Sequence, residues 1–477
     1  MGLTQIFSLI PEVKKPAEKK LGFKVKLKWT LIVLGAFFIL ANIPLFGLSE
    51  NALARFEYLA IILGTDFGSL ISLGIGPIVM ASIILQLLSG SGILNIDQTT
   101  PEGKRFFNGI QQLLVLFFIV FEALVYVLMQ GLQAAPGFTG VLIFQLILGG
   151  LAIFYMDQVT QKWGFGSGVS LFIAAGVSWR IFTSAFQFVN QQGSNCLLDF
   201  KSTPCSGKVL VLLQAVINKY PTELMSALAA LLATIIIFLI VVWAQSLKVE
   251  IPLSFGRIRG YSVKWPLAFF YASVIPVILT AALMANVQLF GGLVENAAAP
   301  CVEGACTGMA KFASYFTFLG HFINGQAISG LAFWMGSTNI LDLVIKGAFL
   351  PRFLVQGLTH IFFFMLLCTL FSVFWVKTSG MDAKSQAKNI SASGLQVAGF
   401  RQDQRIIESI LDRYILPLTV MGGAAIGLLA SFTNLLGALV SGTAILLVIM
   451  IMFQMYKTIA EQHSMDMNPG MRKFMGG

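Results

Sequence analysis

The stretch "SLGIGPIVMASIILQLL", Ser72 to Leu88, is apolar and long enough to form a membrane helix, yet it contains helix breakers. Gly74, Gly76 and Pro77 lie in its first third, and proline inside a helix removes a backbone hydrogen bond. The segment before it, residues 50–66, is half polar. The pattern indicates a membrane span with an interrupted start. The other spans should show why a membrane helix contains helix breakers at that place.

Composition places the whole chain in a membrane. The chain has 477 residues, of which 57% are apolar and only 11% charged, whereas soluble domains carry about 25% charged residues. Apolar runs of about 20 residues can cross a bilayer core as helices, whereas barrel strands need about 10 and alternate in polarity. The runs are long and do not alternate, which predicts a helical protein with ten spans: 29–48, 70–90, 108–130, 138–157, 167–190, 222–245, 266–290, 352–376, 415–434 and 438–457.

The distribution of Lys and Arg predicts the orientation. With the N-terminus inside, the inside segments hold 23 Lys and Arg residues and the outside segments seven. Positive residues concentrate on the cytosolic side of membrane proteins, so both termini are predicted to be cytosolic. The net charge of +10 is then largely topogenic and needs no nucleic acid to explain it. The Lys-rich start lacks a small-residue cleavage site, so no signal peptide is expected.

Ten spans invite a division into two halves of five, which would be inverted relative to each other. "GIGPIV" in the second span corresponds loosely to "SVIPVIL" in the seventh, and "GSGVSLFI" in the fifth to "VSGTAILL" in the tenth. Interrupted segments at corresponding positions of inverted halves point to a central pathway. The expected organisation is a cytosolic segment 1–28, a first half 29–190, an external loop 191–221, a second half 222–457 and a cytosolic tail 458–477.

Three connecting regions are long enough to be functional or disordered. The cytosolic loops 246–265 and 377–413 are polar with basic tips, which suits an acidic or phosphate-rich partner. A solvated loop that merely obeys the charge rule is the alternative. The external region 291–351 is rather apolar but interrupted, and we expect it to lie on or dip into the outer face.

The cysteines fall into local pairs on the predicted outer side. Cys196 and Cys205 share one loop, and Cys301 and Cys306 share another. On the oxidising side such pairs suggest two disulfides, with four free thiols as the alternative. The fifth, Cys368, lies within a span and is expected to be a packing residue.

The chemistry of enzymes and cofactor proteins is missing from the sequence. The three histidines are scattered, which argues against a metal cluster, and no Gly-rich phosphate loop is visible. No cofactor, metal or catalytic residue is therefore expected. Glu122 lies inside the third span, where a carboxylate is a functional candidate, although interhelical hydrogen bonding is the simpler explanation.

Several long motifs, in order, carry a family resemblance: "SLGIGPIVMASIILQLLSGSGIL", "PEGKRFF", "GFGSGVSLFIAAGVS", "VEIPLSFGRIRG", "IPVILTAALMANVQL", "GFRQDQ" and "YILPLTVMGGAAIGLLASFTNLLGAL". Together they resemble the SecY family, the large channel subunits of the Sec protein translocon, in its archaeal branch. The resemblance implies an all-α membrane protein of ten transmembrane helices. These form two inverted five-helix halves around a central pore, with a short plug helix.

The resemblance also implies positions for the seal. The matching ring of aliphatic side chains, which would exclude water from the pore, consists of Ile75, Val79, Val169, Ile173, Ile278 and Leu447. The first four form two pairs four residues apart, so each pair shares one helix face. The matching plug is residues 51–66, with Asn51, Arg55, Tyr58, Ile62 and Thr65.

A lateral gate and docking loops complete the implied site. The matching polar group at the gate comprises Glu122, Asn286 and Met80, the last being polar in some relatives. The candidate docking residues on the cytosolic loops are Arg257, Arg259, Lys264, Arg401 and Arg405. The implied partners are SecE-like and SecG/beta-like small subunits, a ribosome whose RNA phosphates attract Arg, signal sequences and nascent chains, and the lipid bilayer of the cell membrane.

The implied function is a protein-conducting channel that translocates secretory polypeptides and releases transmembrane segments sideways into lipid. A secondary transporter of a small solute is the alternative, because such proteins also use inverted repeats. It would need a polar site at the membrane midplane, whereas the candidate path is aliphatic. A membrane scaffold or insertase without an aqueous path is the third possibility.

Overall fold

The computed structural model describes residues 11–17, 21–51, 67–94, 96, 100–189, 195–197, 200, 205–255, 262–272, 274–302, 311, 314–323, 326–392, 395–397 and 404–467. Ten helices of this part correspond in order to the ten predicted spans: α1 (Phe23–Ala41), α2 (Gly76–Gly90), α3 (Pro101–Leu128), α4 (Thr139–Trp163), α5 (Gly168–Phe186), α7 (Pro221–Gln245), α8 (Ile275–Val302), α11 (Pro351–Thr378), α13 (Gln404–Leu435) and α14 (Gly442–Met467).

Four shorter helices and seven short strands lie in the connections between these ten. They are α6 (Lys208–Asn218), α9 (Leu331–Met335), α10 (Ile340–Ile345), α12 (Ala383–Ala392), β1 (Leu48–Asn51), β2 (Leu132–Ala134), β3 (Lys248–Phe255), β4 (Ser262–Ala268), β5 (His321–Ile323), β6 (Gln326–Ser329) and β7 (Leu395–Val397). Of the helices within the described ranges, eight are long and apolar enough to cross a membrane; α1 and α2 are not among them. The spanning architecture is helical, and the strands belong to the loops.

The opening stretch folds as a turn followed by a helix. Residues 67–75 form turns, with Gly74 at a φ of +54°, and α2 begins only at Gly76 with Pro77 in its first turn. Proline suits that place because the first helical N–H groups need no partner inside the helix. The predicted span 70–90 is therefore too long at its start. With 15 residues, α2 is about 22 Å long, shorter than a bilayer core.

The turn before α2 is held by the neighbouring helix α4. A Cβ atom at Gly149 would overlap the carbonyl oxygen of Leu70, so glycine lets the turn lie directly on the helix backbone. Ser72 fixes the turn from inside: its hydroxyl accepts from Gly68 N at 2.9 Å and donates to the carbonyl of Ser69 at 2.5 Å. The broken start of α2 is thus a packed structural element.

Several other spans begin or end away from their predicted bounds. The first helix starts at Phe23, the third at Pro101 and the ninth at Gln404, each before the apolar run. The polar residues at these starts lie outside any apolar window, so hydropathy misses them. The seventh helix starts later than predicted, at Ile275, because the apolar residues 266–268 belong to β4, and it continues to Val302. The last helix likewise continues to Met467, into the predicted tail.

The helices share one apolar core. Buried side chains from α2, α3, α5, α8, α11 and α14 belong to a single hydrophobic cluster that includes residues of both halves. A second cluster lies at two of the long loops, where β3 pairs with β4 and with β7 in a three-stranded antiparallel sheet. The sheet joins the two loops 246–265 and 377–413, which the sequence analysis described as two separate loops.

The connections between α8 and α11 also contain regular structure. The β5–β6 hairpin and the short helix α9 pack on α8, and three side chains of α11 hold α9 in place. Gln356 donates to the carbonyl of Phe333 at 2.9 Å, Thr359 donates to that of Trp334 at 3.0 Å, and His360 Nδ1 lies 2.7 Å from that of Met335. This segment therefore lies against α8 and α11, whereas residues 291–302, which were expected to belong to the same connecting region, continue α8.

The contact between Gly149 and Leu70 generates a stability prediction. Replacing Gly149 with Ala should destabilise the protein by about 1–3 kcal/mol, the usual cost of overpacking a core, because backbone would have to move. Gly140→Ala in the same helix is the matched control, since a Cβ there meets nothing within 4 Å. Thermal unfolding of the purified protein measures both; equal midpoints for the two variants would contradict the packing described.

Candidate functional site: an apolar constriction between two halves

The six aliphatic positions expected to form the ring lie on four helices and in one hydrophobic cluster. Ile75 immediately precedes α2, which carries Val79, and Ile278 lies on α8. Val169 and Ile173 lie on α5 and Leu447 on α14. Val169 is half-buried and the other five are at most 5% exposed. Because α2 packs against α8 and α5 against α14, each contact joins the two halves.

An aspartate that the sequence reasoning missed positions one ring helix. Asp157 on α4 is 5% exposed, and its Oδ1 accepts a hydrogen bond from the backbone N of Val169 at 3.1 Å. Its Oδ2 accepts from Gln161 at 2.8 Å. A Cβ at Gly168 would lie 2.6 Å from the Asp157 Cα, so only glycine permits this approach. The sequence signal was an acidic residue at the end of an apolar run. The sequence analysis treated Asp157 only as the end of the fourth span.

The second half repeats this arrangement at its fifth helix. Asn434, at the end of α13, accepts from the backbone N of Thr443 at 2.7 Å in the first turn of α14. A Cβ at Gly442 would overlap Thr433. Ile173 and Leu447 each lie five residues after these glycines. The loosely matched motifs "GSGVSLFI" and "VSGTAILL" therefore correspond to equivalent capped helix starts that aim ring residues into the core.

The second helices of the two halves match in the same way. Val79 lies two residues after Pro77, and Ile278 lies two residues after Pro276, which is in the first turn of α8. Proline at a helix start sets the backbone direction of the first turn. Four helix starts thus present aliphatic side chains to one region of the core.

The two sides of the expected lateral gate are in contact. Within the first side, Gln111 on α3 donates to the hydroxyl of Ser82 on α2 at 3.0 Å. Across the gate, the ring of Phe374 on α11 covers Gly90 at the end of α2, and a Cβ there would lie 2.6 Å from the ring. At this end of α2 the gate is therefore closed by the packing of an aromatic ring on a glycine.

The three predicted polar gate positions are buried to different degrees and are not bonded to one another. Glu122 is 1% exposed, and neither carboxylate oxygen has a hydrogen-bond partner within the described ranges. A Cβ at Gly76 would lie 2.9 Å from Glu122 Oε2, so the carboxylate lies against the start of α2. Asn286 donates to the carbonyl of Ala282 in its own helix at 2.9 Å, and Met80 is half-buried.

Two further buried amides at the gate lack a partner for one atom. They are Gln86 Oε1 on α2 and Gln288 Oε1 on α8, among the residues that the structure describes. A buried polar group without a partner costs about 1–3 kcal/mol. Three gate helices, α2, α3 and α8, therefore carry polar groups that would gain hydrogen bonds if water or another molecule reached them.

Most plug and docking candidates lie outside the described residues, namely Arg55, Tyr58, Ile62, Thr65, Arg257, Arg259 and Arg401. Of the others, Asn51 lies in strand β1, which pairs with β2, and it donates to the carbonyl of Phe67 at 2.8 Å. It is therefore part of a strand, and the expected plug helix does not begin there. Lys264 pairs with Glu250 across the β3–β4 hairpin at 2.7 Å, and this contact raises the pKa of its exposed ammonium. Arg405 lies in the first turn of α13.

One of the two cysteine pairs forms a disulfide in the structure. Cys196 and Cys205 are bonded, with their Cα atoms 5.3 Å apart. The side chains of Cys301 and Cys306 lie outside the described residues, and Cys368 is a buried free thiol in α11. No group of three or more His, Cys, Asp and Glu residues that could hold a metal occurs in the described part of the chain.

The N-terminal segment is fastened across the first part of α3 and the last turns of α4. Glu12 accepts from Gln112 at 2.9 Å and pairs with Lys162 at 3.2 Å. The hydrogen bond from Gln112, assisted by Lys162, holds the pKa of the Glu12 carboxyl below its usual value. Val13 N donates to Gln158 at 3.1 Å. Beneath this segment lies a cavity of about 1010 Å³ whose charged lining contains acids and bases in equal number.

These features define a polytopic helical membrane protein in which two halves close an apolar constriction. The chain belongs to the SecY family, whose family model matches residues 69–456. It is 41% identical to the protein translocase subunit SecY of Methanothermobacter thermautotrophicus, over 99% of this chain and 98% of that one. The corresponding protein of Methanocaldococcus jannaschii is 37% identical, with 99% of each chain covered.

Solved structures agree with this assignment. The chain is similar to a structure described as that of a protein conducting channel, with a TM-score of 0.81 and 36% identity over 98% of this chain and 99% of that chain. It is also similar to Sec61 in the canine ribosome-channel complex from the endoplasmic reticulum, with a TM-score of 0.78, 36% identity and the same coverage. The fold predicted from the sequence resemblance is confirmed.

The unpartnered carboxylate of Glu122 generates a stability prediction. Glu122→Met should raise the stability of the closed state by about 1–3 kcal/mol, because it removes a buried acceptor that has no donor. Glu102→Met, at an exposed position of the same helix, is the control for loss of a carboxylate. It should lower the stability by up to about 1 kcal/mol, because Glu102 lies in the first helical turn, where a negative charge is favoured. Thermal unfolding of both variants checks this, and a lower midpoint for Glu122→Met would show that the carboxylate is stabilised in place.

Proposed function

We propose that this chain is the channel subunit of a protein translocon in the cell membrane, with both termini cytosolic. Secretory polypeptides pass between the two halves through the ring, and transmembrane segments leave sideways between α2–α3 and α8–α11. The observation that carries the proposal is the aliphatic cluster supplied by helix starts of both halves. Aliphatic side chains exclude water without binding polar solutes, so they can seal around a chain of any sequence.

The gate helices support the lateral step. The closed contact leaves Glu122, Gln86 and Gln288 with buried polar atoms that lack partners among the described residues. An apolar signal that separates α2 from α11 would admit water to these atoms, which offsets part of the lost packing. The free energy of the closed gate therefore lies only a little below that of the open gate. A weak binding event can then shift the gate from one state to the other.

Partners supply what the chain itself lacks. The cytosolic sheet of β3, β4 and β7 places the loops 246–265 and 377–413 side by side, so both can contact one large partner. A ribosome fits, because the loop tips carry Arg257, Arg259 and Arg401 and RNA phosphates attract such residues. Two small membrane subunits resembling SecE and SecG complete a heterotrimer, and the segment 51–66 closes the outer side as a plug.

The ring assignment predicts which positions a translocating chain touches. In a Cys368→Ala background, cysteines at Ile75 and Ile278 should crosslink to a stalled secretory chain, since both face the same constriction. Ile235→Cys on α7 is the control, because that side chain is 55% exposed on the outside of the bundle. Crosslinking at residue 235 alone, or saturable uptake of one small solute by liposomes, would point to a scaffold or a transporter instead.

The docking assignment predicts a charge effect on the cytosolic side. Reversing Arg257 and Arg401 to Glu should weaken ribosome binding about tenfold or more and reduce its salt dependence, because phosphate contacts are lost. Lys219→Glu, on the predicted outer side, should leave binding unchanged. Cosedimentation with ribosomes at low and at physiological salt measures both, and an equal loss for Lys219→Glu would refute the assignment.

A further inference from the structure

A buried histidine on the gate helix α11 has a polar partner at each of its ring nitrogens. The side chain of His360 is 3% exposed. Its Nδ1 lies 2.7 Å from the carbonyl oxygen of Met335 in α9, and its Nε2 lies 3.3 Å from the amide nitrogen of Asn434 at the end of α13. One imidazole therefore joins three elements of the second half, α9, α11 and α13.

The surroundings of His360 specify a single protonation form of the ring. The Met335 carbonyl oxygen can only accept, so Nδ1 carries a proton and donates it. Asn434 imposes the same form independently: its Oδ1 accepts from the backbone N of Thr443 at 2.7 Å, so the group that faces His360 is the NH2, a donor. Nε2 must then accept. Both neighbours thus select the neutral tautomer with one donor and one acceptor.

This chain of hydrogen bonds ends at the start of the ring helix α14. Thr443 lies in the first turn of α14 and is buried, and Leu447 follows four residues later on the same helix face. If the amide of Asn434 turned over, its NH2 would face the Thr443 N–H, and its oxygen would face the lone pair of His360 Nε2. His360 therefore fixes the one orientation in which Asn434 can cap α14.

The equivalent cap in the first half is held differently. The second oxygen of Asp157 accepts from Gln161, which lies on the same helix, α4. Both oxygens of a carboxylate are acceptors, so this cap works in either orientation. Asn434 has one accepting and one donating side, and the residue that orients it belongs to α11. The start of α5 thus depends on α4 alone, whereas the start of α14 also depends on a helix of the gate.

We propose that His360 is a positioning residue for the seal, which acts through Asn434 to hold the first turn of α14 and the ring residue Leu447. The inference rests on the proposed function, because it takes Leu447 as part of the pore ring. Since His360 lies on α11, a displacement of this helix relative to α13 during lateral opening withdraws the acceptor from Asn434. Opening of the gate then frees the start of α14, which couples lateral exit to the width of the pore.

The test compares two amides at position 360 in the purified complex. The amide of Asn lies where Nδ1 lies, so His360→Asn keeps a donor for Met335 and loses the acceptor for Asn434. The amide of Gln lies one bond further out, where Nε2 lies, so His360→Gln keeps that acceptor. Both variants bury one neutral amide, so a general cost of burial would be equal in both. Hydrogen exchange, followed by mass spectrometry, measures the opening of the first turn of α14.

His360→Asn should raise the exchange of residues 442–447 about tenfold, the effect of losing one hydrogen bond, and His360→Gln should stay within about twofold of wild type. Equal exchange in the two variants would overturn the proposal. If His360→Asn does not fold, His360→Leu, which fills the space without an acceptor, replaces it in the comparison.

Thr359→Val is the matched control for the contact with α9. It removes the hydrogen bond from α11 to the Trp334 carbonyl and leaves His360 and Asn434 in place, so exchange at the start of α14 should not change. An equal rise in Thr359→Val would show that α9 as a whole, and not His360, holds this turn, and would overturn the proposal.

A double variant tests whether His360 acts through Asn434. Asn434→Ala removes the cap itself, so adding His360→Asn to it should cause no further rise in exchange. A further rise would show that His360 acts by another route and would refute the positioning role. Ion leak through the closed complex in liposomes should follow exchange, rising in His360→Asn and not in His360→Gln; faster exchange without leak would separate this turn from the seal.

The exchange readout does not depend on translocation. If crosslinking to the ring fails but exchange responds as expected, the channel function is wrong and the link from His360 to α14 stands without a role in a seal. If exchange does not respond while crosslinking succeeds, the function stands without this link. Unchanged exchange across α4 shows that the variants remain folded.

Discussion

The structure depends on how four helix starts are fixed inside the membrane. A helix that begins within a bilayer exposes backbone N–H groups that lipid cannot satisfy. Here proline removes one such group at α2 and α8. At α5 and α14 another N–H group donates to a side chain of the preceding helix, Asp157 or Asn434. Because these starts are anchored, the aliphatic residues that follow are held in one hydrophobic cluster.

Glycines make that anchoring possible at short range. Three glycines let two backbone segments touch where any Cβ would collide. Gly149 of α4 meets the turn before α2, Gly168 of α5 meets α4, and Gly442 of α14 meets the end of α13. The interior is therefore rigid around the constriction, whereas the gate edge carries polar atoms without partners and a single ring, Phe374, against a glycine. The helix α2 therefore has a tightly packed start at the ring and a weakly closed end at the gate.

The sequence predicted most of the helical architecture but few of the contacts that hold the helix starts in place. Hydropathy located ten spans because length and apolar composition are local properties, and the matched interruptions marked the pore helices. Hydropathy missed where α1 and α13 begin, since polar helix ends resemble loops, and it placed the start of α8 on the apolar strand β4. It also missed Asp157 and Asn434, whose acceptors act on residues 9–12 positions along the chain; only the folded helix pair shows which N–H each one reaches. The gate residues were found through family resemblance, and their lack of mutual hydrogen bonds required coordinates.

The disulfide between α5 and α6 has a mechanical consequence. The loop that joins these helices returns to where it left: Cys196 N donates to the carbonyl of Phe188 at 2.9 Å, and Gly207 N donates to that of Gln187 at 2.8 Å. With Cys196 and Cys205 bonded, tension between the halves cannot extend the residues between the two cysteines. The covalent link that joins the halves is therefore shorter than the loop sequence alone would make it, which limits how far α5 and α6 can separate.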